Sequence, residues 1–395
     1  MSHGLGDRLR AASPLDADAT ARGWEVVRTA HAAREPVARA RRARSTATPA
    51  LIALAAAALL GALALTPAGA RVSDWIGRAI DPSPSRPAAV LPAPGRLLVS
   101  GLNGTWVVGH DLKTANVSKS TESSWSARGN YIVMNRSDAI LVSDASGTLR
   151  WELDRPQVNN ISWSAGDGYR IAYRSGWQLR VVAGDGSGDR LLDDNSEWAR
   201  PAWRPGPLGD HELAYARPHG RVILRDVDAP LFSERVLIRS GPKVEALAWS
   251  GRDRLLVQRA GALLLIDAHG HVLARQPKPA HGRFAALTAS PVSHTAAFVE
   301  REGNDRPRIV WTVEPKAHYR LLRSDARIGF AGKASIRSLA FSPDGRWLAF
   351  AWPEADQLLF QHVRGRPRLL TVGHVKRRLG HVGDPIDSQV VGWGP

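Results

Sequence analysis

The stretch Ser338-Leu-Ala-Phe-Ser-Pro-Asp-Gly-Arg-Trp-Leu-Ala-Phe350 decides the fold. A short apolar segment ends in an aromatic residue, and a tight turn at Asp344-Gly345 leads into a second apolar segment. Apolar runs of this length around an Asp-Gly pair are typical of a β-hairpin. Arg364-Gly365 marks a further turn downstream. The unit therefore contains four predicted antiparallel strands: Leu339–Phe341, Trp347–Ala351, Gln357–Val363 and Arg368–Val372.

The same unit recurs along the chain. Clear copies are Ile161-Ser-Trp-Ser-Ala-Gly-Asp-Gly-Tyr-Arg-Ile-Ala-Tyr173 and Ala246-Leu-Ala-Trp-Ser-Gly-Arg-Asp-Arg-Leu-Leu-Val257, while Ala289 stands in a degenerate copy. We call the aromatic residue of each opening strand its anchor aromatic; the set is Trp125, Trp163, Trp203, Trp249, Phe341 and Trp393. Repeats of 40 to 50 residues with four short strands predict the blades of a β-propeller. We expect the anchor aromatics to be structural, because a large flat side chain fills the space between neighbouring blades.

The two ends of this repeat region predict how the ring closes. The chain finishes with Val390-Val-Gly-Trp393, a copy of the opening strand, whereas the strand Arg96–Ser100 has no opening strand before it. We therefore expect the C-terminal strand to complete the N-terminal blade, giving an all-β, seven-bladed propeller over residues 95–395. Such closure removes the free sheet edges that promote aggregation.

The segment Phe341-Ser-Pro-Asp-Gly-Arg-Trp-Leu-Ala-Phe350 resembles the WD40-like repeat of TolB-type β-propellers. The resemblance covers residues 95–395, most strongly at this blade and by pattern at the others. It implies the fold and a role in binding, without a ligand. The Trp-Asp pairs of eukaryotic WD repeats are missing from the blades, which disfavours that branch.

An apolar segment precedes the repeats. Residues 45–70 carry no charge, and as a helix they would extend about 39 Å, enough to cross a hydrocarbon core of about 30 Å. We predict a transmembrane helix over 47–68. More arginines precede it than follow it, which predicts a cytoplasmic N-terminus. A cleaved signal peptide is the alternative, because Ala68-Gly69-Ala70 is similar to a cleavage site.

The remaining N-terminal regions flank this helix. Residues 1–46 form a predicted cytoplasmic segment with one amphipathic helix, which starts near the cap Ser13. Residues 69–94 are rich in proline and form a predicted extracytoplasmic linker of extended conformation. The whole layout resembles membrane-anchored propeller proteins of actinobacteria.

The sequence contains few signs of catalysis. It lacks cysteine and any G-x-S-x-G elbow, and Gly184-Asp-Gly-Ser-Gly-Asp189 lacks the ending of a phosphate loop, so we interpret it as a hairpin turn. The histidine groups around His271 and His374 lack the spacing of a zinc protease. We therefore expect no metal, no cofactor and no enzymatic activity.

Basic residues exceed acidic ones, with a formal net charge of +16. The densest basic stretch could bind anionic lipids or wall polymers, although arginine-rich coding is an alternative explanation; it comprises Arg364, Arg366, Arg368, Lys376, Arg377 and Arg378. Nucleic acid is disfavoured, because the predicted location is outside the cell and no interleaved aromatic pattern accompanies the cluster.

These observations predict a single-pass membrane protein whose extracytoplasmic propeller is a binding or sensing platform for a protein or a cell-envelope ligand. One alternative is a transmembrane regulator whose cytoplasmic helix binds a cytosolic partner such as a sigma factor. The other is a propeller enzyme, whose convergent catalytic groups spacing alone would not reveal.

Overall fold

A computed structural model shows seven sheets arranged in a ring, each built on four antiparallel strands, which confirms the predicted all-β, seven-bladed propeller. The structure describes residues 86–395 apart from 102–103, 167–168, 207–210, 230–232, 279–281, 303–307, 314–326, 333–334, 365–367 and 380–388. The first strands of neighbouring blades contact each other all the way round the ring, so each is the innermost strand of its blade.

The first four blades, given from the axis outward, have these strands. Blade 1 consists of β29 (Gln389–Gly394), β2 (Arg96–Gly101), β3 (Gly104–Val108) and β4 (Thr114–Ser118). Blade 2 consists of β5 (Ser123–Trp125), β6 (Tyr131–Arg136), β7 (Ala139–Asp144) and β8 (Leu149–Asp154). Blade 3 consists of β9 (Val158–Trp163), β10 (Arg170–Ser175), β11 (Gln178–Ala183) and β12 (Arg190–Asp193). Blade 4 consists of β13 (Ala202–Trp203), β14 (Glu212–Arg217), β15 (Arg221–Asp226) and β16 (Arg235–Ile238).

The last three blades repeat the same order. Blade 5 consists of β17 (Val244–Trp249), β18 (Arg254–Arg259), β19 (Ala262–Asp267) and β20 (Val272–Pro277). Blade 6 consists of β21 (Gly282–Ala289), β22 (Ala296–Glu302), β23 (Arg308–Val313) and β24 (Arg327–Gly332). Blade 7 consists of β25 (Ala340–Phe341), β26 (Trp347–Trp352), β27 (Gln357–His362) and β28 (Leu369–Gly373), with a 3-10 turn at Pro353–Ala355 and a short helix α1 at Val375–Arg378.

The turn after the inner strand explains why a serine follows the anchor aromatic in several copies, as at Ser126, Ser164 and Ser342. In blade 7 the Ser342 carbonyl accepts the N–H of Gly345 at 2.8 Å, and its hydroxyl accepts the N–H of Trp347 at 2.9 Å. Gly345 has a φ of 67°, a conformation that costs glycine little. The hydroxyls of Ser126 and Ser164 accept equivalent bonds in blades 2 and 3, each at 3.0 Å. A local hydrogen-bond pattern therefore starts each of these hairpins.

The hydrophobic core lies between the blades. Trp163 of blade 3, for example, packs with Val133 and Val142 of blade 2 in one buried cluster. The two middle strands of each blade face neighbouring blades on both sides, so most of their side chains are buried on both faces, whereas outermost strands such as β8 are largely exposed. This explains the continuous apolar runs in the sequence.

The C-terminal strand closes the ring as the sequence predicts. β29 pairs antiparallel with β2, with Trp393 opposite Leu97 and Val390 opposite Val99. A Cβ on Gly394 would lie 2.7 Å from Cγ of Trp125, so only glycine allows this close approach. We call the pairing of β29 with β2 the seam of the ring. The seam therefore depends on two residues of the C-terminal strand, Trp393 and Gly394.

The described end of the predicted linker lies against the propeller. β1 (Arg86–Pro87) pairs in parallel with β28 as a fifth strand, and Leu91 and Ala93 are buried beside blades 1 and 7. The rest of the linker, the predicted cytoplasmic helix and the predicted transmembrane helix over 47–68 lie outside the described residues. Within the described ranges, no helix has the length and apolar character needed to cross a membrane.

Candidate functional site: an aromatic cleft between blades 2 and 3

The anchor aromatics lie at, or one residue before, the end of an inner strand. All six side chains are at most 9% exposed. The indole Nε1 of Trp203 donates to the carbonyl of Ser162 at 2.9 Å, and that of Trp249 donates to the carbonyl of Ala202 at 3.1 Å. Each of these bonds connects a blade with the preceding one, so the indoles join neighbouring blades. Ala289, the residue of the degenerate copy, ends β21.

The basic stretch is divided by a strand. Arg364 and Arg368 flank the turn before β28, whereas Lys376, Arg377 and Arg378 belong to α1, which follows β28. Five strand residues extend about 17 Å, so the two groups lie at opposite ends of β28. Arg366 lies outside the described residues. The structure therefore does not bring these basic residues into one cluster.

The structure describes three histidines of the two sequence groups, His269, His271 and His374. His269 and His271 lie in the turn after β19, where the Asp267 carboxylate accepts their backbone N–H groups at 2.8 and 2.9 Å. This carboxylate also contacts His271 Nδ1 at 2.8 Å, so hydrogen bonds to Asp267 hold both histidines within the turn. His281, which follows this pair in the sequence, and His381 and Asp384, which follow His374, lie outside the described residues. No group of His, Asp and Glu within the described ranges could hold a metal ion.

A cleft of about 430 Å³ opens between blades 2 and 3. Four aromatic side chains line it: Trp151 of β8, Tyr131 of β6, Trp163 of β9, and Tyr169, which precedes β10. Tyr131 stacks on Trp163 with ring centroids 6.4 Å apart and planes inclined by 16°. The two tyrosines are 42% and 46% exposed, unusually open for such large rings. The cleft therefore presents aromatic faces to solvent.

The outer wall of the cleft depends on a glycine turn. Trp151 donates its Nε1–H to the carbonyl of Gly184 at 2.8 Å, across the boundary between the two blades. Gly186 has a φ of 87°, and a Cβ there would lie 3.1 Å from Cδ2 of Trp151. The run Gly184–Asp189, which we interpreted as a hairpin turn, does connect β11 with β12. Its glycines let the indole lie flat against the turn.

Polar groups surround the aromatic faces. Arg128, Asn130 and Arg150 contribute donors to the lining, and Asp185 contributes a carboxylate. Hydrogen bonds from the Ser187 hydroxyl and backbone N–H, followed by one from the Tyr169 hydroxyl, lower the pKa of Asp185 to about 2. The Tyr169 bond measures 2.9 Å. At neutral pH the cleft therefore offers two guanidinium groups, an amide and an ionised carboxylate.

Sequence reasoning missed this cleft, although a signal was available. Tyr131 and Tyr169 are separated by the same 38 residues as Trp125 and Trp163. The repeat thus places a second aromatic residue beyond the turn in two adjacent blades. We had interpreted Trp163 as purely structural, but its ring is both a blade contact and part of the cleft lining.

A carboxylate near the axis fixes the relative positions of blades 2, 3 and 4. Glu122, just before β5, accepts the backbone N–H groups of Asn160 and Ile161 at 2.8 and 2.9 Å. It also accepts a hydrogen bond from Arg200 Nη2 at 2.9 Å. Arg200 precedes β13, so one side chain bonds residues of three successive blades. This carboxylate therefore joins the three blades at the end of β5 that is remote from the cleft.

No protein-family model and no curated protein sequence matches the chain. Among solved structures, one chain of a mitotic checkpoint complex matches with a TM-score of 0.53 at 18% identity, covering 71% of this chain and 96% of its own. A candidate 6-phosphogluconolactonase from Bacteroides uniformis matches with a TM-score of 0.50 at 13% identity, covering 70% and 95%. A candidate TolB from Agrobacterium tumefaciens gives 0.43 at 15% identity, covering 64% and 96%. At these identities the first two matches show the β-propeller fold alone, and no particular activity.

Proposed function

We propose that this protein is a binding platform anchored in the membrane by residues 47–68, and that the cleft between blades 2 and 3 binds a saccharide unit of the cell envelope. The observation that carries the proposal is the cavity of about 430 Å³ with four aromatic rings in its lining. That volume falls in the usual range for small-molecule sites, about 300–1,000 Å³.

The chemistry of the lining favours a ring-shaped polar ligand. A sugar ring has an apolar face of C–H groups, which an exposed aromatic side chain such as Tyr131 or Tyr169 can cover. Its hydroxyls both donate and accept hydrogen bonds. Arg128 and Asn130 supply donors at the cleft, and the Asp185 carboxylate supplies acceptors. The combination suits an uncharged or weakly anionic saccharide.

The same groups support binding rather than catalysis. Glycoside hydrolysis commonly uses two carboxyl groups, one of which must be protonated to act as an acid. Among the described residues that line the cleft, Asp185 alone has a carboxyl group. Its pKa of about 2 keeps it ionised at neutral pH, so it is a poor general acid.

An array of peptidoglycan and wall-polysaccharide fragments tests the ligand class. We expect the full-length protein to bind a subset of fragments, and the double variant Tyr131→Ala/Tyr169→Ala to lose that binding. Val292→Ala is the control, because Val292 is 63% exposed and lies in blade 6. Unchanged binding by the double variant would place the saccharide site elsewhere.

The anchor rests on the uncharged run 45–70 and the arginines that precede it. A reporter that is active only outside the membrane should be active when fused at residue 80. Activity of an inside-only reporter at the same position would refute the topology. A mature N-terminus at Arg71 would instead identify the apolar segment as a cleaved signal peptide.

A further inference from the structure

A buried arginine lies at the end of blade 3 that is remote from the cleft. Arg174 is the fifth residue of β10, and its side chain is completely buried. None of its three guanidinium nitrogens has a hydrogen-bond partner among the described residues. Tyr169 and Arg174 flank most of β10, so the two features lie about 17 Å apart along the strand. No described side chain that lines the cleft contacts Arg174.

Two exposed tryptophans cover this guanidinium. The Arg174 Cζ atom lies 4.4 Å from the ring centroid of Trp198 and 5.6 Å from that of Trp177. Trp177 belongs to the turn between β10 and β11, whereas Trp198 lies in the connection from blade 3 to blade 4. The carbonyl of Trp177 accepts the N–H of Ser196 at 3.0 Å, which holds the turn against this connection. The two indoles therefore form a lid over a buried cation.

The cation is poorly compensated where it lies. Burial lowers the pKa of Arg174, and only the negative charge of nearby Glu197 opposes that effect. Glu197 does not hydrogen-bond the guanidinium, and its own Oε2 is buried without a partner. Burying an unpaired charge in general costs more free energy than a cation–π contact returns. Arg225, by contrast, is 6% exposed and donates to the carbonyl of Leu192 at 2.7 Å.

The covering tryptophans are also placed for contact with a partner. Trp177 is 60% exposed and Trp198 is 52% exposed, so neither indole is needed to fill the core. Tryptophan and arginine are the residues that most often dominate the binding energy of protein interfaces. A side movement of one indole would open the guanidinium to a planar carboxylate, which arginine binds through two parallel hydrogen bonds.

We propose that Arg174, Trp177 and Trp198 form a docking site for a protein partner that inserts a glutamate or aspartate side chain flanked by apolar residues. The carboxylate pairs with the guanidinium, and the indoles cover the apolar neighbours. The net charge of +16 favours an acidic partner by long-range attraction. The site is independent of the proposed saccharide cleft, because it uses other residues at the other end of β10.

Pools of capped hexapeptides on an array test the proposal with the full-length protein. One pool has glutamate or aspartate fixed at a central position, and the matched pool has glutamine or asparagine there; all other positions are random. We expect the acidic pool to bind at least about tenfold more strongly than the amide pool, since a hydrogen bond to a charged group is worth about 1.5–3 kcal/mol. Arg174→Met should abolish the difference, whereas Trp177→Ala, at an exposed position, should weaken the binding of both pools. Equal binding of the two pools, or unchanged discrimination by Arg174→Met, would overturn the proposal.

Thermal unfolding supplies a second measurement that does not depend on a peptide. If Arg174 is kept for binding, Arg174→Met should unfold at the same or a higher temperature than the wild type, because an apolar side chain of similar length replaces an unpaired buried charge. Arg225→Met is the matched control and should unfold at a lower temperature, because the Leu192 carbonyl loses its donor. A larger loss of stability in Arg174→Met than in Arg225→Met would show that Arg174 is structural and would overturn the docking site.

Discussion

Blade 7 and blade 3 follow the same path of four strands but use their side chains differently. In blade 7 a local hydrogen bond closes the turn after β25: the Ser342 hydroxyl accepts the N–H of Trp347 at 2.9 Å. Blade 3 makes the same serine turn at Ser164, yet it places the exposed Tyr169 at one end of β10 and the unpaired Arg174 near the other. Both blades therefore carry the fold, and what distinguishes blade 3 is the exposure of Tyr169 and the missing hydrogen-bond partners of Arg174, which mark the candidate binding sites.

The largest expected effect comes from the seam beside blade 7. Trp393 is 8% exposed and meets Phe360 of blade 7 edge to face, with ring centroids 5.7 Å apart. Trp393→Ala should lower the free energy of unfolding by about 3–5 kcal/mol, because it leaves a cavity between two blades. Deleting residues 389–395 should destabilise the ring further, since β2 loses its inner partner.

Thermal unfolding of the full chain measures both changes. Trp177→Ala is the control, because it makes the same substitution at an indole that is 60% exposed and should be dispensable for stability. Equal melting temperatures for the deletion variant and the wild type would show that β29 is not needed for the stability of the ring. The account of ring closure would then be wrong.

An intermediate effect is expected at Asp189, which connects blade 3 with blade 2. Its carboxylate accepts hydrogen bonds from the Tyr173 hydroxyl at 2.7 Å, from Arg180 Nη2 at 2.8 Å and from Arg155 Nε at 3.0 Å. Burial raises the pKa of Asp189, but the bonds from Arg180, Tyr173 and Arg155 outweigh it, so the pKa is lowered overall. Asp189→Asn should cost about 2–3 kcal/mol at neutral pH.

The pH dependence of this difference has a definite sign. Because the folded-state pKa of Asp189 is lowered, its contribution to stability is complete above the unfolded pKa of about 3.9. That contribution is lost as the pH falls from there through the folded-state pKa. The stability difference between wild type and Asp189→Asn should therefore be constant from pH 5 to 7 and shrink below about pH 4. Urea unfolding across that range checks this, and a difference that grew at low pH would be inconsistent with the assignment.

The smallest effect is expected for Tyr169→Phe. This substitution removes one hydroxyl from an exposed ring, so the free energy of unfolding should change by less than about 1 kcal/mol. The pKa of Asp185 should rise from about 2 towards its ordinary value, because one of the hydrogen bonds that lower it is gone. NMR titration of the Asp185 carboxyl carbon measures that shift, and an unchanged pKa would show that Tyr169 does not donate to it in solution.

The sequence predicted the parts of the fold that depend on neighbours along the chain. In blade 7 the predicted strand Trp347–Ala351 is observed as Trp347–Trp352, and Gln357–Val363 is observed as Gln357–His362. Turn residues and apolar runs set these boundaries, and both are local. The seam was also predictable, because β29 is an extra copy of a recognisable strand.

Features that depend on distant pairs were not predicted. β1 pairs with β28, almost 300 residues later, and a proline-rich segment gives no sign of such a partner. The basic stretch is continuous in sequence, yet β28 separates its two groups. The cleft requires Trp151 of one blade to meet Gly184 of the next, a contact that follows from ring geometry. The repeat itself encoded Trp163 and the two tyrosines at the 38-residue interval, but not the contact between the blades that completes the cleft.

Thermal unfolding with and without a bound saccharide tests most directly whether the cleft between blades 2 and 3 binds a ligand without being needed for the stability of the propeller. A fragment selected on the array should raise the melting temperature of the wild type, because a ligand that binds only the folded state stabilises it. We predict that Tyr131→Ala/Tyr169→Ala melts close to the wild-type temperature without ligand and shows no increase with it. An undiminished increase in the double variant would contradict the assignment of the cleft between blades 2 and 3 as the binding site.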